Sequence, residues 1–588
     1  MPATSRQQNF ALLLGLAWLL IVCQLLAHDW ANTARTLLDT DDAMRLTQMH
    51  DWLAGRGWYD LSQPRVEPPH GLESHWSRLI DAGLAGTLWI FGRVFEPVMA
   101  DRLMRTVWPM LWLLPTLTGT AAIAWRIAGR DAALIALLLA LIGLPAFHQF
   151  RPGRIDHHNV QIALSLLAVA ATVWSDRVRW AAYAAGAVTG LALAIGLECL
   201  PYLIACGAIF TVCYVLDRTG ARAAADYGLA LAASSVAAFF IIVAPAHWTR
   251  GLCDAIAINW VALTVVGGLG LWLAGRGARE SLSARLAIAL AVGAAATAMF
   301  VFIEPRCLGG PYAMMDPAVW PVWLAYVTEM QSLPAMSRSS PSLAAGYAAF
   351  PLAALAGLLV LARERDLRGD FGFLASAAVL LIAIVLMVAA IKMSFYTMWF
   401  AMPLVAAGAL SLFERLHIQS LVARAFVVIL LAPAVLSTAA LSVVQAAARM
   451  PGAEPDDTRY SGGCFDSASY AALARLPAGL VAADIDFGPF LLALTPHSVL
   501  AAPYHRLSSG ILAANEAFAS PPPDAERILS SLRTTDVVTC GMQSLPGLAE
   551  QRRATSLWTQ LQSGSVPAWL ELLPGEGPMR VYRLRPAG

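Results

Sequence analysis

Apolar runs of roughly twenty residues, the length a bilayer requires, recur along most of this chain. They fall at 10–27, 104–127, 132–147, 160–174, 181–197, 200–216, 227–244, 255–274, 286–303, 343–361, 374–391, 395–412 and 425–444. The pattern predicts a polytopic α-helical membrane protein with about thirteen transmembrane helices. A further apolar stretch, 80–95, is interrupted by Asp81 and Arg93 and is expected to be re-entrant or interfacial. The first run is long for a signal-peptide core, and no small-x-small site follows it. A retained first span is therefore expected.

The connectors sort by charge. Arg126 and Arg130, Arg177 and Arg179, Arg218 and Arg222, then Arg276, Arg279 and Arg285 occupy alternate connectors, as do Arg363, Arg365 and Arg368, then Arg415 and Arg424. The positive-inside rule makes that side, with Arg6, cytoplasmic. The opposite side, the periplasmic face of a bacterial inner membrane, then receives segments 27–79 and 304–342, the loop around Arg151, and everything after Met450. The chain divides into a membrane domain, 1–449, and a C-terminal domain, 450–588. In the latter, turn clusters (Ser461-Gly462-Gly463, Pro521-Pro522-Pro523) separate strand-like runs at 480–483, 498–501 and 536–540 from helical ones at 490–494 and 524–532. That alternation predicts a small α/β unit.

Composition agrees. Of 588 residues, 58% are hydrophobic and 13% charged, against about 25% charged in soluble domains. A formal net charge of +1 argues against a nucleic-acid surface. The eight cysteines show no zinc-type spacing. Cys23, Cys199, Cys206 and Cys213 lie in apolar runs and are read as packing residues. Cys464 and Cys540, both in the polar C-terminal region, are candidates to pair if that region lies in an oxidising compartment.

Candidate chemistry gathers on the outer side. Arg151-Pro152-Gly153-Arg154-Ile155-Asp156-His157-His158-Asn159 joins two spans. A solvated turn is one reading. The other is an oxygen/nitrogen site for Mn, Mg or Zn, since Asp156 and His158 can converge on one ion. The first outer loop contains Asp39-Thr40-Asp41-Asp42-Ala43-Met44-Arg45. Its carboxylates suit either a helix N-terminus or a cation. Thr328-Glu329 lies in the last outer membrane loop, and Lys392 stands at the outer end of a span. Lys392 there either snorkels or faces a phosphate. Glu198 lies between two apolar runs, either intramembrane and paired or at the outer boundary.

Along its whole length the chain resembles the catalytic subunits of oligosaccharyltransferases, within the C-type glycosyltransferase (GT-C) superfamily. Those enzymes have about thirteen spans and an outer soluble domain. Their first outer loop has an Asp followed six positions later by Arg, a spacing kept by Asp39 and Arg45, with Asp41 and Asp42 replacing aromatics. Their second carries Asp-x-Asp or Asp-x-His, matched by Asp156-His157-His158 after Gly153. Their fifth ends a Thr-Ile-x-Glu motif in a glutamate, matched by Val327-Thr328-Glu329. An Arg-Phe-Ser-Met-Tyr-like segment, whose Arg contacts the donor pyrophosphate, resembles Lys392-Met393-Ser394-Phe395-Tyr396 with Lys for Arg.

The resemblance implies a metal-dependent membrane glycosyltransferase using a polyprenyl-(pyro)phosphate-linked sugar or oligosaccharide at the periplasmic face. Asp39, Asp156 and Glu329 would be catalytic. The ligands of a divalent cation, Mn or Mg, would come from Asp39, Asp41, Asp42, Asp156, His158 and Glu329. Lys392, Arg45 and Tyr396 would meet the donor phosphate. Asp486, Gly488 and His505 would meet the acceptor. The family's Trp-Trp-Asp-Tyr-Gly, which recognises the peptide, is reduced here to Asp484-Ile485-Asp486-Phe487-Gly488, with both tryptophans gone. A strand-to-helix turn is the competing reading of that segment. Their loss favours a lipid or surface-polysaccharide acceptor over a protein with an altered sequon. A transporter using Glu198 and Lys392 as intramembrane charges is the non-enzymatic alternative.

Overall fold

The computed structural model describes residues 3–216, 220–277, 281–364, 370–448, 463–541, 545, 550–575 and 577–585. The domain boundary at 449/450, Met450, Ser461-Gly462, and Arg218, Arg279, Arg365 and Arg368 lie outside them.

After α1 (Ala3–Asp29), the segment expected to form the first outer loop folds into α2 (Thr40–Leu53), a small antiparallel pair β1 (Ser62–Gln63) and β2 (Leu72–Glu73), and α3 (Arg78–Phe91). Next come α4 (Pro97–Leu141), α5 (His158–Trp174), α6 (Ala181–Ile195), α7 (Leu200–Leu216), α8 (Gly220–Ile242), α9 (Ile258–Arg276) and α10 (Leu282–Ile303). The segment after α10 is a series of short 3-10 turns ending in α11 (Leu333–Ser339). Then α12 (Pro341–Glu364), α13 (Phe371–Ala389), α14 (Ser394–Arg415), α15 (Leu421–Leu430) and α16 (Pro433–Ala448) complete the bundle.

Each of the thirteen apolar runs is helical over most of its length. Among the described residues, seven helices are long and apolar enough to cross a bilayer, or up to nine if each of two bent pairs is one span. The apolar α5, α6 and α7 are shorter, at 17, 15 and 17 residues. The chain is a multi-pass membrane protein. Two expected spans are continuous in α4, which breaks at Ala128 and at Gly129, whose φ is +80°. Arg126 beside the break is not a loop residue. It is buried and donates to Asp176 at 2.6 Å, with Asp370 at 3.8 Å. The interrupted run at 80–95 becomes α3. Its fourteen residues make a helix of about 21 Å, short of the roughly 30 Å hydrocarbon core. Its exposed Trp89 and Ile90 suit the expected interfacial position.

The C-terminal region carries a five-stranded mixed sheet in the order β4-β3-β5-β7-β6. Its elements are β3 (Leu480–Ala482), α17 (Gly488–Leu494), β4 (Ser498–Val499), α18 (Ser508–Ala519), α19 (Pro522–Ser531) and β5 (Asp536–Cys540). They continue with α20 (Glu550–Arg553), α21 (Leu557–Gln562), β6 (Leu570–Leu572) and β7 (Met579–Leu584). Strands β3, β4 and β5 run parallel, and β5 pairs antiparallel with β7. The expected Cys464–Cys540 bond is formed. A second disulfide, Cys253–Cys307, ties the α8–α9 loop to the segment after α10. Of the four cysteines read as packing residues, Cys199 and Cys206 are buried, while Cys23 is exposed.

Candidate active site on the outer loops

Asp39 caps α2. Its carboxylate accepts the backbone N–H of Asp41 at 3.5 Å, so the acidic run opens a helix, as first-turn carboxylates prefer. The same turn binds the second outer loop. Asp42, fully buried, accepts the backbone N–H groups of Ile155 at 2.7 Å and Asp156 at 3.1 Å. Gly153 makes the approach possible. Its φ of +107° is in the left-handed region, and a Cβ there would lie 3.1 Å from the Leu38 side chain. Arg151, two residues earlier, anchors the loop by donating to Asp29 at 2.6 and 3.1 Å.

Arg154 occupies the middle of the acids. Nη1 lies 2.5 Å from Asp39 and 3.1 Å from Asp42, and Nη2 lies 2.8 Å from Asp156. Nε and Nη2 also donate to Gln149 Oε1 at 3.2 and 2.8 Å. Asp156 accepts the His158 backbone N–H at 2.8 Å, and the His158 ring lies 3.7 Å from Asp156 and 3.4 Å from Glu198. Glu198 in turn accepts from Lys392 Nζ at 3.0 Å. Glu198 is thus paired: one carboxylate joins His158 to Lys392.

Glu329 is reached through the backbone. The Ile391 N–H donates to Gln331 O at 2.9 Å, bringing the fifth outer loop to the turn that carries Lys392. Glu329 is solvent-accessible, and Lys392 and His158 are the opposite charges that act on it. Tyr396, buried in α14, donates to Gln161 at 3.2 Å.

The electrostatics follow from crowding. Burial works against ionisation of Asp156, yet His158 and Arg154 outweigh it and hold the carboxyl below the usual range. For Glu198, His158 and Lys392 likewise overcome burial. Asp42 is pushed up to about 8 by burial and by Asp156 and Asp39, with Arg154 opposing. Burial and the neighbouring Asp39 and Asp156 push Asp41 up as well. Burial and His158 push His157 down to about 3.

Asp41, Asp156 and His158 each offer a ligand atom within 4.8 Å of the others. This set of two carboxylates and an imidazole suits a divalent cation. Asp39, Asp41, Asp42, Asp156, Glu198 and Glu329 outnumber the permanent cations Arg154 and Lys392 around them. His158 Nδ1 is buried and faces the Glu198 carboxylate at 3.4 Å. The residues therefore fit the ion that the sequence resemblance implies.

Some expected residues are placed elsewhere. Arg45 is fully buried, donates to Asp81 at 3.0 Å and lies over the Trp76 ring at 4.4 Å. Arg78 and Gln48 also hold Asp81, at 2.8 and 2.9 Å, so Arg45 joins α2 to α3. Gly488 opens α17, where a Cβ would come within 2.2 Å of the Ala501 carbonyl. Asp486 lies in the 3-10 turn before it, donating its backbone N–H to the Asp484 carboxylate at 3.0 Å. That segment is a strand-to-helix turn. His505 lies 2.6 Å from Asp254 on the α8–α9 loop, and Arg506 clamps the same carboxylate at 2.7 Å twice. Both residues dock the C-terminal region onto the membrane part.

A run of ring contacts links these parts. Tyr312 meets His505 at 5.2 Å, His505 meets His75 at 4.8 Å, and His75 meets Trp76 at 6.0 Å. Trp76 meets His157 at 5.9 Å, and His157 meets His158 at 4.5 Å. A cavity of about 340 Å³ lies beside this run, between the first outer loop and the outer ends of α6 and α8.

No family model and no curated protein sequence matches the chain. Solved structures do. The apo oligosaccharyltransferase of Archaeoglobus fulgidus aligns with TM-score 0.67 and 15% identity over 90% of this chain and 69% of that one. The archaeal oligosaccharyltransferase AglB from the same organism, in complex with an inhibitory peptide and a dolichol-phosphate, gives 0.68 and 12% over 96% and 79%. The A. fulgidus enzyme in complex with Zn and sulfate gives 0.59 and 15% over 90% and 68%. With its helical bundle, its outer loops gathered on one cluster and its C-terminal sheet region, this chain has the oligosaccharyltransferase-like GT-C fold.

Proposed function

We propose that the protein is a membrane glycosyltransferase that moves a sugar or oligosaccharide from a polyprenyl-phosphate or -pyrophosphate donor to an acceptor at the outer, periplasmic face. The observation that carries this reading is the meeting of Asp41, Asp156 and His158 with the Lys392–Glu198 pair inside a GT-C fold. Asp41, Asp156 and His158 would hold a divalent cation, Mn or Mg, with Glu329 of the fifth outer loop as a further candidate ligand. When bound, that ion stabilises negative charge on the departing phosphate. Asp41 is the acid chosen from the first loop, because Asp39 and Asp42 are engaged by Arg154 and by backbone N–H groups. Lys392 supplies a fixed positive charge to the donor phosphate, and Glu198 sets its direction. The acceptor's nucleophile attacks the sugar's anomeric carbon, and the bond to the phosphate oxygen breaks with its electron pair leaving on phosphate.

The acceptor is a lipid or a surface polysaccharide. The tryptophans of the peptide-recognition motif are missing, and Asp486-Phe487-Gly488 serves a turn. Protein glycosylation is the second reading, supported by the fold shared with an oligosaccharyltransferase held by an inhibitory peptide. Two disulfides on the outer loops and the C-terminal region support placing that side, with a domain 450–588, in an oxidising compartment.

The test is donor consumption in detergent with polyprenyl-linked glycans, comparing wild type with Asp156→Ala and Glu329→Ala, with EDTA or added Mn or Mg. A loss of at least about 100-fold on chelation and in both variants is expected, and the labelled product names the acceptor. Consumption indifferent to EDTA and both substitutions would overturn the assignment.

A further inference from the structure

Arg154 stands where an acid-rich centre would otherwise hold only an exchangeable ion. Its side chain is 5% exposed, and those of Asp42 and Asp156 are fully buried. Its fork is fully used: Nε on Gln149, Nη1 between Asp39 and Asp42, and Nη2 between Asp156 and Gln149. Two of these carboxylates come from the first turn of α2 and the third from the second outer loop. The Arg154 carbonyl also accepts from Asn159 Nδ2 at 3.0 Å, fixing the backbone that aims it. A lysine, with one point charge, cannot reproduce a planar fork reaching three carboxylates and an amide.

We propose that Arg154 is a positioning residue, the resident cation of the cluster. It holds Asp39, Asp42 and Asp156 in one arrangement whether or not a divalent ion is bound, and it confines that ion to the Asp41–His158 edge. The confinement rests on the metal-assisted reading above; the charge compensation does not.

Without Arg154, the carboxylates of Asp39 and Asp156 face each other beside Asp42 with no permanent cation among them, and like charges brought together disfavour the assembled state. An added divalent ion then takes over the compensation. The centre of Arg154→Met should therefore bind Mn more tightly than wild type, and its fold should come to depend on the ion.

Purified full-length protein in detergent, stripped with EDTA, is followed by thermal unfolding and by Mn titration read from the free-ion EPR signal. Wild type is expected to be stabilised by Mn as well, but by less than Arg154→Met, because part of its charge compensation is built in. Arg154→Met is expected to lose roughly 3 °C in EDTA, to recover at least half of that in Mn, and to bind Mn about tenfold more tightly. Arg154→Lys should fall between the two. An Arg154→Met protein that unfolds like wild type in EDTA and binds Mn no more tightly would overturn the proposal.

Should Arg154→Met not fold, the triple variant Asp39→Asn/Asp42→Asn/Arg154→Met decides. Recovery of folded protein supports charge compensation, whereas failure to recover assigns Arg154 to packing and ends the idea. If no form binds Mn, the metal reading of the function falls, while a Met variant rescued by neutralising the acids still supports Arg154.

Discussion

Asp42 shows how charge and hydrogen bonding separate at one residue. Its Oδ1 accepts two backbone N–H groups, a task a neutral amide oxygen also performs. Its carboxyl is pushed up to about 8 by burial and by Asp156 and Asp39. Asp42→Asn is therefore expected to fold at least as well as wild type in EDTA. Asp42→Ala, which strands both N–H donors, should cost about 2–4 kcal/mol. The pH dependence has a definite sign. A carboxyl whose pKa is higher folded than unfolded favours the fold at low pH. That contribution falls as pH rises from about 4, the unfolded value, through about 8. Between pH 5 and 8 the Asn variant should thus show a flatter decline in stability than wild type, measured by denaturant unfolding in EDTA. At this scale the sequence reads well where spacing carries the chemistry: Asp156 and His158 are two apart on a turn, and Lys392 sits at a span end. It reads poorly where partners are distant. Nothing local shows that Arg154 reaches Asp39, 115 positions away, that Glu198 meets Lys392 across 194, or that Arg45 is taken by Asp81.

Helices and strands were legible because burial imprints a period on them. The three parallel strands and α17 fall where the runs at 480–483, 498–501, 536–540 and 490–494 put them. The C-terminal β6 and β7 carry no such signal, since β6 has one buried residue in three. The break in α4 escaped because two runs joined end to end look like two spans. Among the connecting elements, the second outer loop depends most on one backbone position. Gly153→Ala must place a side chain at φ +107° and 3.1 Å from Leu38, at a cost of at least about 1–2 kcal/mol. The displaced turn should carry Asp156 away from Asp42. Thermal unfolding should show the cost, and Mn affinity should fall several-fold. Unchanged affinity would mean the turn has another way to position Asp156.

Across the whole molecule, the C-terminal region is fastened to the membrane part through Asp254. His505 and Arg506 reach it, and the neighbouring Cys253–Cys307 bond fixes the loop that presents it. Arg65 adds three bonds to carbonyls at the end of α17 and the turn after it, those of Leu492, Thr495 and His497. Asp254→Ala is expected to loosen this seam by about 3 kcal/mol, leaving Arg506 without its carboxylate. Hydrogen exchange at 502–507 should rise while exchange within β3 and β5 stays unchanged. Acid should have little effect above about pH 4, because the hydrogen bonds from His505 and Arg506 overcome burial and hold the Asp254 carboxyl below its usual range. Its stabilising contribution is lost only as pH falls through that lowered value.

The run of rings from Tyr312 to His158 has an optical consequence. Trp76 is 4% exposed and stands midway, with Arg45 over its face and a histidine at either side, one leading to the docking seam and the other to the acid cluster. Indole emission responds to the charge and distance of such neighbours. A change at either end of the run thus alters the surroundings of one chromophore. The difference in fluorescence between wild type and Trp76→Phe would isolate that chromophore from the other eighteen tryptophans, giving the protein an internal gauge of whether its two outer halves are seated together.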